Sequence, residues 1–369
     1  MTLASQDALR INVMLANKPQ AIRIHESSMT LYGLSEKGEL KVELNPDCRD
    51  EQYVKKVKET LSGYVLGSPG GYPVYLQRWT RMGQMRDDNL EQLLLLGEPE
   101  AVIALACASG ITDELARRAW WALEDAGNAR RMLISEAVKQ GEMGAVLAAY
   151  LVEYLPFESE PEQMMMTVAL VLQPGLIDAG MKAELWKKSQ RKNPYLVGFL
   201  SSCADAIPDQ QPPSRYYLQL KSVFDDGNEN AVEQLLLRVM SPPGQAFIAT
   251  AIKVLSKPTT QEMVTTTLDV LADYFSGMRK GGRVDETRDK LEQDADDYIK
   301  NGPPEAQRVM RKCEDCQQQL YAMRLLSGMS YGVVRPFLGD STAIGSLMRR
   351  KLEPVMTPLL KHLQKLQQR

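Results

Sequence analysis

Apolar and polar residues alternate over only one short stretch of this chain, and that confinement limits its fold more than any other feature. Ile22 and Ile24, then Met29 and Leu31, then Leu40, Val42 and Leu44 follow a period of two, broken by the turn SEKG at 35–38. That period puts successive side chains on opposite faces, so it predicts a small antiparallel meander. Beyond Arg86 the alternation disappears, and apolar residues recur three and four positions apart, as they do along one face of a helix. The pattern excludes the alternating βα units that build a parallel sheet.

Around the meander, residues 5–16 read as a helix with Ser5 as its cap. Asp50 opens another, carrying Tyr53, Val54, Val57, Leu61, Tyr64 and Val65 on one face. GSPGGYPV (67–74) reads as a Gly/Pro-rich loop and VYLQRW (74–79) as a last strand. From there on the sequence predicts roughly fourteen to sixteen helices joined by short turns, many of them opened by proline. Asn193-Pro194, Ser241-Pro242-Pro243, Pro303-Pro304, Pro99 and Pro161 mark such starts, and clear apolar faces run through 142–155, 161–172, 229–240, 245–255 and 261–275. The expected fold is mostly α: a small N-terminal α+β unit (1–86), a solenoid-like or bundled helical array (87–280), and a C-terminal helical region (281–369) that is either separate from or continuous with the array. LEQLLLLGEPEAVIA (90–104) echoes VEQLLLRVMSPPGQAFIA (232–249), a hint of a helical repeat without the fixed period that repeat families show.

Composition narrows the function. The 369 residues are 44% hydrophobic and 25% charged, with a formal net charge of -3, so there is no overall basic field to draw in nucleic acid or an anionic membrane. Five scattered cysteines fit a reducing compartment better than a disulfide-stapled secreted domain. The start MTLASQDALRINVML lacks the pattern of a signal peptide, and no uncharged stretch approaches the ~20 apolar residues of a membrane span. The expectation is a cytoplasmic protein. Only His25 and His362 are available as imidazoles, which excludes metal sites built on several histidines.

The sharpest chemical candidate is CEDC, with Cys313 and Cys316 as redox thiols: one thiolate of such a pair attacks while the other resolves. Against this, Val309, Cys313, Cys316, Leu320 and Met323 fall on one helical stripe, which reads as core, with the pair about ten residues inside a helix. GMSYG (328–332) matches the G-x-S-x-G of hydrolases, followed by Asp340 and His362, but no strand precedes it; it reads as an interhelical turn with Ser330 capping the next helix. The Gly-rich runs at 67–71 and 280–283 lack a phosphate-loop pattern, and DADD (294–297) lacks calcium-loop spacing. In QRWTRMGQMR (77–86), Arg78, Arg81 and Arg86 surround Trp79, a cation-plus-stacking mixture suited to a partner surface or to single-stranded RNA. ARRAWW (116–121) repeats that mixture.

The run GSPGGYPVYLQRWTRMGQMRDDNLEQLLLLGEPEAV (67–102), with VLQPGLIDAG (171–180), KNPYLVGFL (192–200) and SRYYLQLKSVFDDG (214–227), resembles the DsrS family. Members are soluble proteins encoded with the dissimilatory sulfite reductase system of sulfur-oxidising bacteria. The resemblance implies a cytoplasmic accessory or regulatory protein of sulfur oxidation, without assigned catalysis or cofactor, acting through protein partners. None of these stretches carries a catalytic residue, so the sequence assigns no catalytic, cofactor-binding or metal site. Two alternatives stay open: a thiol or persulfide carrier using Cys313 and Cys316, and an RNA-binding regulator.

Overall fold

The computed structural model describes residues 3–66, 90–224, 230–279, 281–282, 284–313, 316–339 and 341–367. The chain is mostly α, with a small antiparallel sheet near its start followed by a helical array. It divides into two compact units, Met1–Tyr154 and Leu155–Arg369.

The first unit opens with α1 (Ser5–Ala16), β1 (Ala21–His25), β2 (Thr30–Ser35), β3 (Gly38–Glu43) and α2 (Asp50–Leu66). The strands pair antiparallel in the order β1-β2-β3, with Leu31 opposite both Ile24 and Val42. The apolar face that the alternation foretold packs on the helices: Ile22, Leu31 and Val42 meet Ile11 and Leu15 of α1 and Tyr53 of α2. Inside this layer Asp7 is fully buried. It accepts hydrogen bonds from the Tyr53 hydroxyl, from Asn45 N at 2.7 Å and from Asn45 Nδ2 at 3.2 Å, tying α1 to the segment after β3 and to α2.

Two local expectations fail here. Ser5 is the first helical residue, not the cap; Ala4 stands at the cap position and no side chain caps the helix. Tyr64 lies 57% exposed, because its hydroxyl reaches past the core edge to Leu15 O at 3.4 Å. The loop at 67–74 and the strand expected at 74–79 lie outside the described residues.

The first unit continues with α3 (Leu90–Leu93), α4 (Pro99–Ala106), α5 (Asp113–Ala122), α6 (Ala126–Met132), α7 (Glu136–Lys139) and α8 (Glu142–Tyr154). Ile22 N donates to Leu94 O at 2.8 Å, closing the outer edge of β1. Asp113 accepts from Glu142 N and Met143 N, both at 3.0 Å, and so caps α8 from a neighbouring helix.

The second unit holds α9 (Pro161–Val171), α10 (Ala179–Ser189), α11 (Asn193–Ser202), α12 (Tyr217–Phe224), α13 (Ala231–Met240), α14 (Pro242–Ser256), α15 (Gln261–Tyr274), α16 (Arg288–Asn301), α17 (Pro304–Lys312), α18 (Gln317–Leu326), α19 (Tyr331–Leu338) and α20 (Gly345–Leu366). They share one core, with Leu196, Phe247, Leu268, Leu320 and Leu363 all at 0% exposure. The proline signals hold: Pro99, Pro161, Pro242 and Pro304 each open a helix, where the missing N–H costs nothing. Ser241 caps α14, accepting from Gly244 N at 3.4 Å. Asn193 does not cap α11; it sits inside the first turn and donates instead to Lys257 O at 3.1 Å.

Eighteen helices follow Arg86 among the described residues, more than the periodicity predicts. Four-residue helices such as α3 and α7 carry too few residues for a period, and one expected helix is split at 313–316. The echoing segments also differ, since α3 ends after four residues while α13 runs for ten. Among the described residues no single helix is long and apolar enough to cross a membrane. The pair α13 and α14 passes by length and composition only when taken together, and it is bent by 70°.

Candidate functional site

The one thiol pair of the second unit lies where a helix breaks. Cys313 N still donates to Val309 O at 2.9 Å, but Cys313 itself is extended (φ -147°, ψ 91°), which ends α17. Cys316 N then donates to Cys313 O at 3.1 Å and Cys316 stands as the cap residue of α18. The two residues are joined as a disulfide, with their Cα atoms 5.5 Å apart, inside the span such a bond requires. The expectation of one unbroken helix through Val309, Cys313, Cys316, Leu320 and Met323 is therefore corrected. A stripe at helical spacing is equally produced by two short helices packed on one core, and here Val309, Cys316, Leu320 and Met323 are all buried. Cys313 is only half-buried.

Polar groups crowd the same junction. Glu233 of α13, almost wholly buried, receives Arg308 Nε at 3.2 Å and Lys312 Nζ at 3.5 Å, both from α17. Lys312 also lies over the Phe224 ring at 5.4 Å and donates to Val223 O at 3.4 Å. A buried carboxylate held between two cations is costly to disrupt, so this pairing pins the end of α17 beside Cys313. Of the remaining cysteines, Cys107 is exposed, Cys48 half-buried and Cys203 buried, all with free thiols.

Arg78, Trp79, Arg81 and Arg86 lie outside the described residues. The second basic-aromatic segment sits on α5 and is engaged within its own unit. Arg117 and Arg118 both bond Glu114, at 2.7 Å and 2.8 Å. The hydrogen bond from Arg117, assisted by Arg118, holds the Glu114 carboxyl down to about 2. Trp120 meets Tyr150 edge-on at 4.7 Å. Trp121 receives the Arg23 guanidinium on its ring at 4.5 Å and donates from Nε1 to Glu39 at 3.2 Å. The RNA-binding alternative thus rests on 77–86.

Beside Trp121 lies a cavity of about 530 Å³ between β1, the start of α4 and the end of α5, within the size range of small-molecule sites. Arg23 forms one wall, bonded to Glu39 at 2.9 Å and to Trp121 O at 3.1 Å. His25 stands edge-on to Tyr32 at 5.2 Å. Glu98 is 5% exposed and paired with Lys58 at 3.2 Å; burial pushes its carboxyl up, while the charge and hydrogen bond of Lys58 draw it partly back. Gly97, with φ +65°, makes the turn that brings Glu98 here. No spacing in the sequence connects residue 23 to 98 or 121. The only trace is that Arg23 and His25 fill the polar positions of β1.

Ser330 caps α19, its hydroxyl accepting from Gly332 N at 3.2 Å, as the turn reading requires. His362 packs instead at 5.5 Å from the Tyr321 ring. Asp294, in the acidic run, binds Arg279 at 2.6 Å and Arg324 through both oxygens at 2.9 Å. Among the described residues no group of three or more His, Cys, Asp or Glu is placed to hold a metal ion. No family model, curated protein or solved structure matches the chain.

Proposed function

We propose that this protein is a non-enzymatic accessory protein of cytoplasmic sulfur oxidation, working through protein partners, and that Cys313 and Cys316 are the groups through which it exchanges thiols with them. The observation that carries the reading is the placement of the pair: joined, at a helix junction, with Cys313 half-exposed and Cys316 in the core. The sulfur-oxidation setting rests on the likeness of 67–102, 171–180, 192–200 and 214–227 to the DsrS family.

In this chemistry a partner thiolate attacks the Cys313 sulfur, which is the accessible one. The Cys313–Cys316 bond breaks and its electron pair leaves on Cys316, which takes up a proton. A second partner thiolate then attacks the partner sulfur of the mixed disulfide and releases Cys313 as a thiol. The pair is reduced by two electrons and the partner dithiol becomes a disulfide.

The half-exposure of Cys313 also favours a second reading, persulfide carriage. Hydrosulfide attacking Cys313 would leave one extra sulfur on that residue and expel Cys316, with no further oxidant required.

Native thiol labelling across a series of redox buffers, paired with partner capture, tests both. Labelling of neither cysteine when oxidised, and of Cys313 ahead of Cys316 when reduced, is expected. Retention of partners should differ between the two states and in Cys316→Ser. Equal labelling of both thiols under oxidising buffer, with partner retention unaltered by Cys313→Ser, sinks the proposal. Gain of one sulfur on Cys313 after anaerobic sulfide selects the second reading.

A further inference from the structure

Among the described residues, the sheet of the first unit has one closed edge and one open edge. β1 is closed by Leu94, whereas the outer edge of β3 receives, among the described residues, only Arg10, whose Nη1 donates to Glu43 O at 3.3 Å. The phase of the ladder shows which groups that edge displays. Leu44 N donates to Met29 O at 2.9 Å, so Leu44, Val42 and Leu40 turn their backbone groups toward β2. Glu39, Lys41 and Glu43 therefore turn their N–H and C=O outward.

The side chains of those outward residues alternate in sign, and Lys37 in the preceding turn extends the series. Lys37, Glu39, Lys41 and Glu43 form a sequence of charges that complements itself when read in the opposite direction. Antiparallel pairing with a second copy, centred on Leu40, sets Glu39 across from Lys41 of that copy and Lys37 across from Glu43, and symmetry repeats both pairs. Sliding the strands by one pair in either direction sets Lys41 against Lys41 or Glu39 against Glu39. Charges on an edge strand ordinarily prevent pairing; here they forbid the neighbouring registers and favour one.

The ground beside the edge is apolar. Leu9 and Val13 of α1, 65% and 56% exposed, lie with Leu40 along a groove of about 520 Å³ between α1 and β3. A two-fold axis normal to the sheet would bring the two α1 helices onto the same face, over the paired Leu40 side chains. The interface is then isologous and closes on itself. The geometry points to a homodimer joined edge to edge through β3, with its register set by Lys37, Glu39, Lys41 and Glu43 and its apolar face supplied by Leu9, Val13 and Leu40.

Sedimentation equilibrium of the full chain tests this. Wild type should associate to a dimer. Lys41→Pro removes an outward N–H that the β2–β3 ladder does not use, so it should yield monomer at concentrations where wild type is dimeric, with an unchanged circular dichroism spectrum. Lys37→Glu should weaken association about thirtyfold, because two symmetry-related pairs turn from attraction to repulsion. Lys37→Glu combined with Glu43→Lys should restore it. A wild-type monomer at every concentration overturns the proposal, as does a dimer indifferent to Lys41→Pro or a charge swap that restores nothing.

Discussion

Replacing Asp7 by alanine should destabilise the first unit by about 3 kcal/mol, a figure set by what the carboxylate holds. Asp7 and Tyr53 are both 0% exposed, so the Tyr53 hydroxyl has no water to turn to once its acceptor is gone. A buried donor left unmatched costs about 1–3 kcal/mol, and a hydrogen bond to a charged group contributes about 1.5–3 kcal/mol. The backbone N–H of exposed Asn45 can be rehydrated, and removing a buried charge relieves some desolvation, which keeps the total at about 3 kcal/mol, the upper end of either range and well short of their sum. Tyr53→Phe should cost less, about 1.5 kcal/mol, because it removes the donor without stranding it. The double variant should then cost no more than Asp7→Ala alone, a coupling of at least about 1.5 kcal/mol.

Hydrogen exchange in graded urea, followed in peptides from α1 and α2, reads the first unit separately from the second. The effect should also depend on pH. Burial pushes the Asp7 carboxyl up, but the hydrogen bonds from Tyr53 and Asn45 and the charge of Arg10 outweigh it and hold the group below its ordinary value. A depressed carboxyl contributes stability that is fully present above about pH 4 and is lost as pH falls through the folded value. The gap between wild type and Asp7→Ala should therefore shrink in acid. Strict additivity of the two substitutions, or a loss below about 1 kcal/mol for Asp7→Ala, would refute the reasoning.

Three further outcomes follow from the second unit. In Gly198→Ala the new Cβ would lie 2.5 Å from Val168 Cβ; overpacking of about 1–3 kcal/mol outweighs the helix-propensity gain of up to about 1 kcal/mol, and a raised urea midpoint would contradict this. In Asp294→Asn, Arg279, whose side chain is 9% exposed, loses its carboxylate; breaking a fully buried pair costs about 3–5 kcal/mol, discounted to about 2 kcal/mol because Asp294 is partly solvated. Burial raises the Asp294 carboxyl, while Arg324 and Arg279 together hold it below its ordinary value, so this contribution should also fade below about pH 4; a difference that grows in acid melts would count against it. Reduced wild-type protein should react with alkylating reagent first at Cys313 and only later at Cys316, as mass-mapped labelling would show, and the opposite order would exclude attack at Cys313.

Local periodicity alone determined the order of elements. The alternation at 22–44 encodes the meander, and prolines at 99, 161, 242 and 304 announce helix starts because the ring fits the first turn without losing a hydrogen bond; Pro336, Pro354 and Pro358, which lie inside helices, give no such signal. Ser330 and Ser241 announce themselves as caps for an equally local reason. Whether a helical stripe is one helix or two depends on a single residue's backbone angles, and the extended Cys313 leaves no mark on the spacing of Val309, Cys316 and Leu320. Asn193 shows the same limit, since its choice between capping and reaching Lys257 O is made by a residue 64 positions away.

The sequence pointed to Cys313 and Cys316 as a pair through their spacing, but their joining, and the burial of only one, were decided by packing on the second unit's core. The cavity beside Arg23, Glu98 and Trp121 left no trace in the sequence beyond the polar positions of β1, because its walls come from segments up to about a hundred residues apart that only folding brings together. Periodicity records which face of an element is apolar; which elements that face meets is a property of the whole packed chain.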